Sequence, residues 1–275
     1  MLVRKIRFIN RNQVVSQFLF GLAQTPALAA LARYPTRHGP RWFRDAVARQ
    51  KRKHKRLGFA MVPQRKLRDV HRQGLQRLSD VVGPAGIGDY LEFGVHSCTT
   101  LLCMYRELEA RGLHQVRLFG FDSWEGLPVS DAPDDVSTWN PGDFAIDYEF
   151  ACQILEDEKV DPRRVVLTKG FFGDTLTPEF PVRHDFTKAS IIMVDCDQYL
   201  GSNEALTFCR PFIKDHAVVL FDDWHSENLA ARNMGQKRAF DEFLASGEFT
   251  AEPMESYTGN AAVFFVSRAR APIPT

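Results

Sequence analysis

The chain has 275 residues, of which 44% are hydrophobic and 25% are charged, values that are ordinary for a globular protein. No stretch reaches the roughly 18 apolar residues that a membrane-spanning helix needs, so the sequence predicts none. The net charge of +1 hides a sharp division, because residues 1–72 contain 18 Lys or Arg and two acids, whereas residues 73–275 contain 17 Lys or Arg and 32 acids. The sequence therefore predicts a basic arm and an acidic body.

Residues 1–82 are predicted to form a basic, mainly helical extension. Residues 12–32 are apolar but interrupted, which suits one or two short amphipathic helices, and residues 65–82 have a helical pattern. The basic run 49–56 is most simply a solvated helix face or arm. It could also dock on the acidic body or make peripheral contact with an anionic membrane, whereas nucleic acid is unlikely because no aromatic residues alternate with the basic ones.

Residues 83–275 are predicted to form an α/β domain with a doubly wound, mostly parallel sheet, because apolar strand-like runs alternate with helical patterns. The predicted strands are Asp89–Val95, Val116–Phe121, Arg164–Thr168, Ile191–Val194 and Ala217–Phe221, followed by a hairpin of Phe249–Tyr257 and Ala261–Ser267. The predicted helices are Cys98–Arg111, Tyr148–Lys159, Asn203–Ile213 with Asn203 as its cap, and Lys237–Ala245.

Residues 123–147 are too rich in Pro, Gly and Asp for regular structure, and an irregular segment of this length is more often functional than idle. A lid is one interpretation. Trp124, Trp139 and Phe144 could line a pocket for an acceptor or anchor the segment to the body.

The first strand leads into a turn that contains a single glycine, Gly94. A dinucleotide fingerprint has three glycines there, so a pyrophosphate would approach this turn poorly, whereas an adenosine ligand without phosphates would be tolerated. Asp122 ends the second predicted strand, the position at which an acid accepts hydrogen bonds from ribose hydroxyls.

The fourth and fifth predicted strands each end in a pair of acids, Asp195 with Asp197 and Asp222 with Asp223. A right-handed crossover would bring both pairs to one edge of the sheet. Two carboxylates about 4 Å apart repel by about 4 kcal/mol at an effective dielectric near 20, so the cluster would hold protons or a cation. Oxygen ligands favour Mg²⁺ before Ca²⁺ or Mn²⁺. The alternative is that some of these acids only cap helices.

Six segments, taken in order, resemble the macrocin O-methyltransferase family, whose members are metal-dependent, S-adenosylmethionine-using enzymes that act largely on sugar hydroxyls. The segments are Gly88–Val95, Phe121–Pro128, Lys169–Leu176, Asp195–Tyr199, Phe221–Trp224 and Gly235–Phe243. The resemblance implies a seven-stranded class I methyltransferase sheet and an O-methyltransferase that transfers a methyl group to a hydroxyl of a sugar or glycosylated metabolite. Rival interpretations are another nucleotide-cofactor enzyme, such as an NAD-linked oxidoreductase, and a non-catalytic binding module.

The resemblance also implies roles for individual residues. Glu92, Gly94 and Val95 would lie beside the methionine part of the cofactor, and Asp122 and Ser123 at its ribose. Gly170 and Phe171 would lie near the adenine.

The acids receive roles in the same way. Asp195, Asp222 and Asp223 would bind Mg²⁺ and Asp197 would be the general base, although the roles of Asp195 and Asp197 could be reversed.

The chain departs from the family at residues 96–99, where an aromatic, a basic residue and two glycines are usual. Ser97 or Thr99 would then help to hold the methionine carboxylate. Five cysteines without a CxxC pair suit a reducing compartment, so we expect a cytoplasmic protein. A homo-oligomer is compatible with the sequence.

Overall fold

A computed structural model describes residues 40–59, 62–130 and 140–269. Its contacts divide the chain into two units, Met1–Gly58 and Phe59–Thr275. The described part of the first unit consists almost entirely of a basic helix, α1 (Arg41–Phe59), whose last residue is assigned to the second unit. The helices expected within residues 12–32 lie outside the described residues. Within the ranges that are described, no helix is long and apolar enough to cross a membrane.

The second unit is built on a seven-stranded sheet in the order β3-β2-β1-β4-β5-β7-β6. Strands β1 to β5 pair in parallel, and β7 pairs antiparallel with both β5 and β6. The strands are β1 (Asp89–Phe93), β2 (Leu118–Asp122), β3 (Val165–Lys169), β4 (Ala189–Val194), β5 (His216–Phe221), β6 (Phe249–Met254) and β7 (Ala262–Arg268). The prediction of a doubly wound, mostly parallel seven-stranded sheet is confirmed.

Helices flank this sheet, and most lie between consecutive strands. They are α2 (Gln64–Val82), α3 (Thr99–Ala110), α4 (Tyr148–Asp157), α5 (Phe172–Thr175), α6 (Glu179–Arg183), α7 (Tyr199–Cys209) and α8 (Gly235–Ala245).

The core consists of two apolar clusters, one on each face of the sheet. Neighbouring residues of a strand point to opposite faces, so Tyr90 belongs to one cluster and Leu91 to the other. Leu67, Leu75 and Leu78 of α2 are fully buried in the first cluster. Helix α2 thus packs within the second unit, while the domain boundary expected after residue 82 stays a prediction.

Helix α7 begins earlier than the sequence suggests. Its N-cap is Gln198, and Asn203, expected to be the cap, lies inside the helix. The chain turns sharply before α7, because Asp197 has a positive φ of 58°. Ser202, the residue before Asn203, is buried, and its hydroxyl donates to the carbonyl oxygen of the N-cap Gln198 at 2.7 Å, so this position already lies within the first turn.

One buried group works against the stability of this fold. His71 of α2 is 2% exposed and packs edge-on against the Tyr90 ring, with ring centroids 6.4 Å apart. Both of its ring nitrogens lack a hydrogen-bond partner. Burial, reinforced by the nearby charge of Arg68, lowers the pKa of His71 from 6.5 to about 3. The folded protein therefore binds this proton less readily than the unfolded chain does.

We expect His71→Leu to raise the free energy of unfolding by about 1–3 kcal/mol at neutral pH, because it removes two unpaired polar atoms from the core. Below pH 6.5 the His71 side chain is protonated in the unfolded chain but stays neutral in the native protein. The free energy of unfolding therefore falls as the pH drops from 6.5 towards 3. The advantage of the variant should therefore grow by roughly 1.4 kcal/mol per pH unit across that window. Urea unfolding at pH 7.5 and pH 5 measures both effects.

The matched control is His114→Leu, since His114 is exposed and its Nδ1 lies 3.1 Å from a carboxylate oxygen of Glu109, which is also exposed. This change should leave the stability nearly unaltered at both pH values. An equal response of the two variants would contradict the assignment of the effect to burial.

Candidate active site

A cavity of about 370 Å³ opens at the carboxyl ends of β1, β2, β4 and β5, and its size is typical of a small-molecule site. Most of the residues singled out from the sequence line it. These are Gly94, Val95, Ser97, Asp122, Ser123, Phe171, Asp195, Asp197, Asp222 and Asp223. Glu92 and Gly170 do not line the cavity. The expected convergence of these acids at one edge of the sheet is therefore observed, whereas the roles of the residues stay predictions.

Gly94 permits the ends of β1 and β4 to approach each other closely. Its φ is +90°, and a Cβ there would lie 1.6 Å from the backbone oxygen of Asp195. No side chain fits at that distance, so only glycine allows the ends of these two strands to come so close. The approach brings the turn after β1 and the first acid after β4 into one wall of the cavity.

Asp122 holds the turn that follows β1. Its Oδ2 accepts hydrogen bonds from the backbone N–H groups of Val95 and His96 at 2.8 and 2.7 Å, and its Oδ1 accepts one from Trp124 at 2.6 Å. The turn needs this support because His96 and Cys98 adopt positive φ angles of 47° and 58°. Asp122 thus stabilises the cavity wall and also faces the cavity, where the ribose contact was expected.

Glu92 is fully buried on β1 and accepts hydrogen bonds from the hydroxyls of Tyr90 and Thr100. Burial raises its pKa to about 8, an effect that these two donors only partly offset. Thr100 lines the cavity and separates Glu92 from it. Glu92 can therefore act on a ligand through Thr100, while the direct cofactor contact expected from the sequence stays a prediction.

Ser97 and Ser123 are both buried cavity residues with short-range partners. The Ser97 hydroxyl lies 3.3 Å from that of Thr99, and the Ser123 hydroxyl donates to the carbonyl oxygen of Gly126 at 2.9 Å. Phe171 is 36% exposed at the mouth, whereas Gly170 has a φ of 142° and donates its N–H to the carbonyl oxygen of Asp122. Gly170 therefore places Phe171 rather than lining the cavity itself.

Two aromatic residues of segment 123–147 have separate roles. Trp124 is 4% exposed, and its indole N–H donates to the carbonyl oxygen of His96 at 3.1 Å, so it anchors the segment. Phe144 lines the cavity. Trp139 lies outside the described residues.

Asp195, Asp222 and Asp223 each offer a carboxylate oxygen, and these three oxygens lie within 4.8 Å of one another. Asp197 adjoins them, because its backbone N–H donates to Oδ2 of Asp223 at 3.2 Å. The spacing and the purely oxygen donor set fit a hard divalent cation. Three carboxylates would hold the cation, and the cavity on their open side leaves room for further ligands.

Burial and mutual repulsion raise the pKa values of these acids. Burial is the larger cause, and the negative charges of the neighbouring aspartates add to it for Asp195 and Asp223. The pKa of Asp222 is raised by burial, and that of Asp197 is raised to about 7 by burial and by the charges of Asp222 and Glu227. Without a cation the cluster would therefore retain protons near neutral pH.

Two residues that sequence reasoning missed hold the acids in place. The Tyr257 hydroxyl donates to Oδ1 of Asp222 at 2.6 Å. The Gln236 side chain accepts from the N–H of Asp223 at 3.0 Å and donates to the carbonyl oxygen of Val194 at 3.2 Å. Gln236 lies in Gly235–Phe243, one of the segments that resemble the family, so the resemblance could have pointed to it. Tyr257 was predicted only as the last residue of a hairpin strand, and nothing in its sequence neighbours indicates a contact with Asp222.

The fold is shared with solved methyltransferase structures. The O-methyltransferase NovP matches with a TM-score of 0.57 and 21% identity over 74% of this chain and 80% of that one. The calicheamicin methyltransferase CalS11 matches with a TM-score of 0.56 and 20% identity over 95% and 94%. An O-methyltransferase from Bacillus cereus, solved in complex with SAH, matches with a TM-score of 0.53 and 13% identity over 87% and 97%.

The family model agrees with this likeness. No curated protein sequence matches significantly. The model described as Macrocin-O-methyltransferase (TylF) matches residues 24–265, which is most of the chain. The oxidoreductase and binding-module interpretations are thereby set aside. The chain belongs to the macrocin O-methyltransferase family and is an S-adenosylmethionine-dependent O-methyltransferase.

Proposed function

We propose that this enzyme methylates a hydroxyl of a sugar or glycosylated metabolite and that Mg²⁺ bound by Asp195, Asp222 and Asp223 supports the reaction. The observation that carries the proposal is the meeting of these three carboxylates in the cavity that Asp122 also lines. An acid cluster beside a cofactor site suits an acceptor whose hydroxyl is too weakly acidic to react unaided. Family membership supports the sugar as the acceptor.

The cofactor would lie along the turn after β1, with Asp122 and Ser123 at its ribose and Phe171 near its adenine. Backbone and side-chain groups around Ser97 would receive its carboxylate, because Ser97 and Thr99 lie in the stretch where the family usually has a basic residue and two glycines. These residues bind and orient the cofactor. Proximity and alignment of this kind can contribute about 7–11 kcal/mol to lowering the barrier.

Asp197 would accept the proton of the acceptor hydroxyl. Asp197 lines the cavity and donates its backbone N–H to Asp223 at 3.2 Å, so its carboxylate lies beside the acids proposed to hold the metal, where a general base is needed. When they are bound, S-adenosylmethionine supplies an activated methyl group and the metal lowers the pKa of a coordinated hydroxyl. Tyr257 and Gln236 act as positioning residues, since they fix Asp222 and Asp223.

The basic arm supports a further proposal, peripheral contact with an anionic membrane by a cytoplasmic enzyme. Helix α1 carries eight Lys or Arg and the single acid Asp45. Such a helix is attracted to anionic lipid headgroups, and the attraction weakens with salt. Self-association of the enzyme stays a prediction from the sequence.

We expect Asp122→Ala to weaken S-adenosylhomocysteine binding by about 1–3 kcal/mol, because the change removes the acceptor of the ribose hydroxyls and frees the strained turn. Titration calorimetry measures the affinity. Asp80→Ala, at an exposed residue of α2, is the matched control and should bind like the parent protein. Unaltered binding by Asp122→Ala would contradict the cofactor assignment.

Two further substitutions separate the metal from the base. Asp223→Asn should reduce turnover at low Mg²⁺ and leave S-adenosylhomocysteine affinity nearly intact, because it removes a metal ligand. Asp197→Asn should lower kcat by about 10²–10⁴-fold even with saturating Mg²⁺, because it removes the general base. Methyl transfer is measured across a Mg²⁺ titration, with Asp185→Asn as the exposed control. Full activity of the parent enzyme after exhaustive EDTA treatment would exclude the metal mechanism.

The arm is tested by Lys51→Glu combined with Lys53→Glu, two exposed positions of α1. We expect the double variant to co-sediment less with phosphatidylserine vesicles than the parent does, by about tenfold or more, since each basic residue near the surface contributes about 1 kcal/mol. Neutral phosphatidylcholine vesicles are the control and should retain neither protein. Equal sedimentation of both proteins with anionic vesicles would contradict the proposal.

A further inference from the structure

Glu204 is an acid of the cavity wall that belongs neither to the metal cluster nor to the proposed cofactor contacts. It lies on the second turn of α7 and is half-buried. Among the residues that the structure describes, none donates a hydrogen bond to its carboxylate or forms an ion pair with it, whereas Asp122 and Asp222 both have donors. Burial raises the pKa of Glu204, and no donor offsets that effect. This carboxylate can therefore accept a hydrogen bond from a ligand in the cavity.

The Glu204 carboxylate lies beside the start of α5. Its Oε1 is 3.7 Å from the position that a Cβ of Gly173 would occupy, so the loop before α5 leaves it uncovered. A Cβ on Gly201, one turn earlier on α7, would lie only 3.3 Å from a ring carbon of Phe172, so the two helices approach closely at this glycine. Together these elements form one end of the cavity, which is lined by Phe171, Phe172, Gly173, Leu200, Gly201 and Glu204. Glu204 carries the only polar side chain of these six residues.

This end of the cavity continues from the residue proposed to hold the ribose. The N–H of Gly170 donates to the carbonyl oxygen of Asp122 at 2.9 Å, so the loop that leads to Phe171 and Gly173 starts beside the ribose position. A base attached to that ribose would extend along the loop. Apolar side chains and glycines suit the flat faces of a heterocyclic base, and a single polar group beside them gives specificity. The edge of the base then meets the Glu204 carboxylate.

A carboxylate can distinguish adenine from other purines. An ionised carboxylate only accepts hydrogen bonds, and the exocyclic amino group of adenine donates them. Hypoxanthine and guanine have a carbonyl oxygen at the same ring position, so two acceptors would face each other with no proton between them. The unpaired acid would thus favour adenine and disfavour the oxo purines.

We propose that Glu204 determines the base specificity of the cofactor site by accepting a hydrogen bond from the exocyclic amino group of adenine. The inference rests on the proposed function, since it takes Asp122 and Phe171 as the neighbours of the ribose and the adenine. Glu204 takes part in no covalent step in this role. Its contribution therefore lies in the affinity for the nucleoside rather than in the metal dependence of methyl transfer.

Two ligands that differ only at the purine amino group test the proposal, namely S-adenosylhomocysteine and S-inosylhomocysteine. Titration calorimetry with the full chain measures both affinities. We expect the parent protein to bind S-adenosylhomocysteine at least about tenfold more tightly, as a hydrogen bond to a charged group allows. Glu204→Ala should bind the two ligands within about twofold of each other, because the acceptor is gone. Glu204→Gln should also lose the preference, since an amide accepts from the amino group and donates to the oxo group.

Asp122→Ala separates the inference from the cofactor placement on which it rests. The ribose is common to both ligands, so this change should weaken both by a similar factor and keep the preference for adenine. Glu156→Ala, at an exposed residue of α4 that does not line the cavity, is the matched control and should bind both ligands like the parent.

A parent protein without the preference, or Glu204 variants that keep all of it, would overturn the inference. The cofactor placement would still stand in that case if Asp122→Ala weakened the binding of both ligands. Unaltered binding by Asp122→Ala and by the Glu204 variants alike would overturn the placement itself.

Discussion

The approach of β1 to β4 at Gly94 is the constraint on which the rest of the site depends. Because the Asp195 carbonyl occupies the space where a side chain would start, the two strand ends lie closer than any other residue would allow. The turn after β1, which contacts the cofactor in the proposed arrangement, is thereby fixed against the first acid of the cluster. In the proposed arrangement, the sites of the methyl donor and of the acceptor are thus held together by backbone packing rather than by flexible side chains.

The acid cluster illustrates how a fold can maintain an unfavourable arrangement. Carboxylates about 4 Å apart repel by about 4 kcal/mol at an effective dielectric near 20, and without a cation these acids retain protons instead of ionising together. Hydrogen bonds from Tyr257 to Asp222 and between Gln236 and the backbone of Asp223 hold the acids in place. The buried aromatic packing of Phe221 and Phe240 beneath them adds rigidity. The cluster is therefore prepared for a cation before one arrives.

Much of this could be predicted from the sequence, because it depends on local patterns. Apolar runs with acids at their ends predicted β4, β5 and the convergence of Asp195 and Asp222, and the pattern after residue 248 predicted the closing hairpin. Contacts between distant parts of the chain could not be predicted in the same way. The start of α7 was misplaced because Asn203 has the character of a cap, whereas a buried serine and a sharp turn set the real start.

The cofactor-side residues show the same limit. Asp122 was expected to face a ribose, and its three hydrogen bonds to backbone N–H groups depend on a turn geometry that composition does not encode. Tyr257 carries no local signal, since its role arises only when the hairpin folds back onto β5. Unpaired His71 likewise follows from the packing of α2 on the sheet rather than from its own sequence neighbours.

The position of β7 between β5 and β6 has a consequence for the order in which the protein can mature on the ribosome. Strand β5 has no partner on its outer side until residues 262–268 have been synthesised, and Tyr257 reaches Asp222 only through the same hairpin. An emerging chain therefore exposes the edge of a strand that is buried in the folded protein, a known template for aberrant pairing, until β7 has been synthesised. The last residues of the β-sheet close both the edge and the acid site, so a chain that stops short of them would lack a completed active centre as well as a completed sheet.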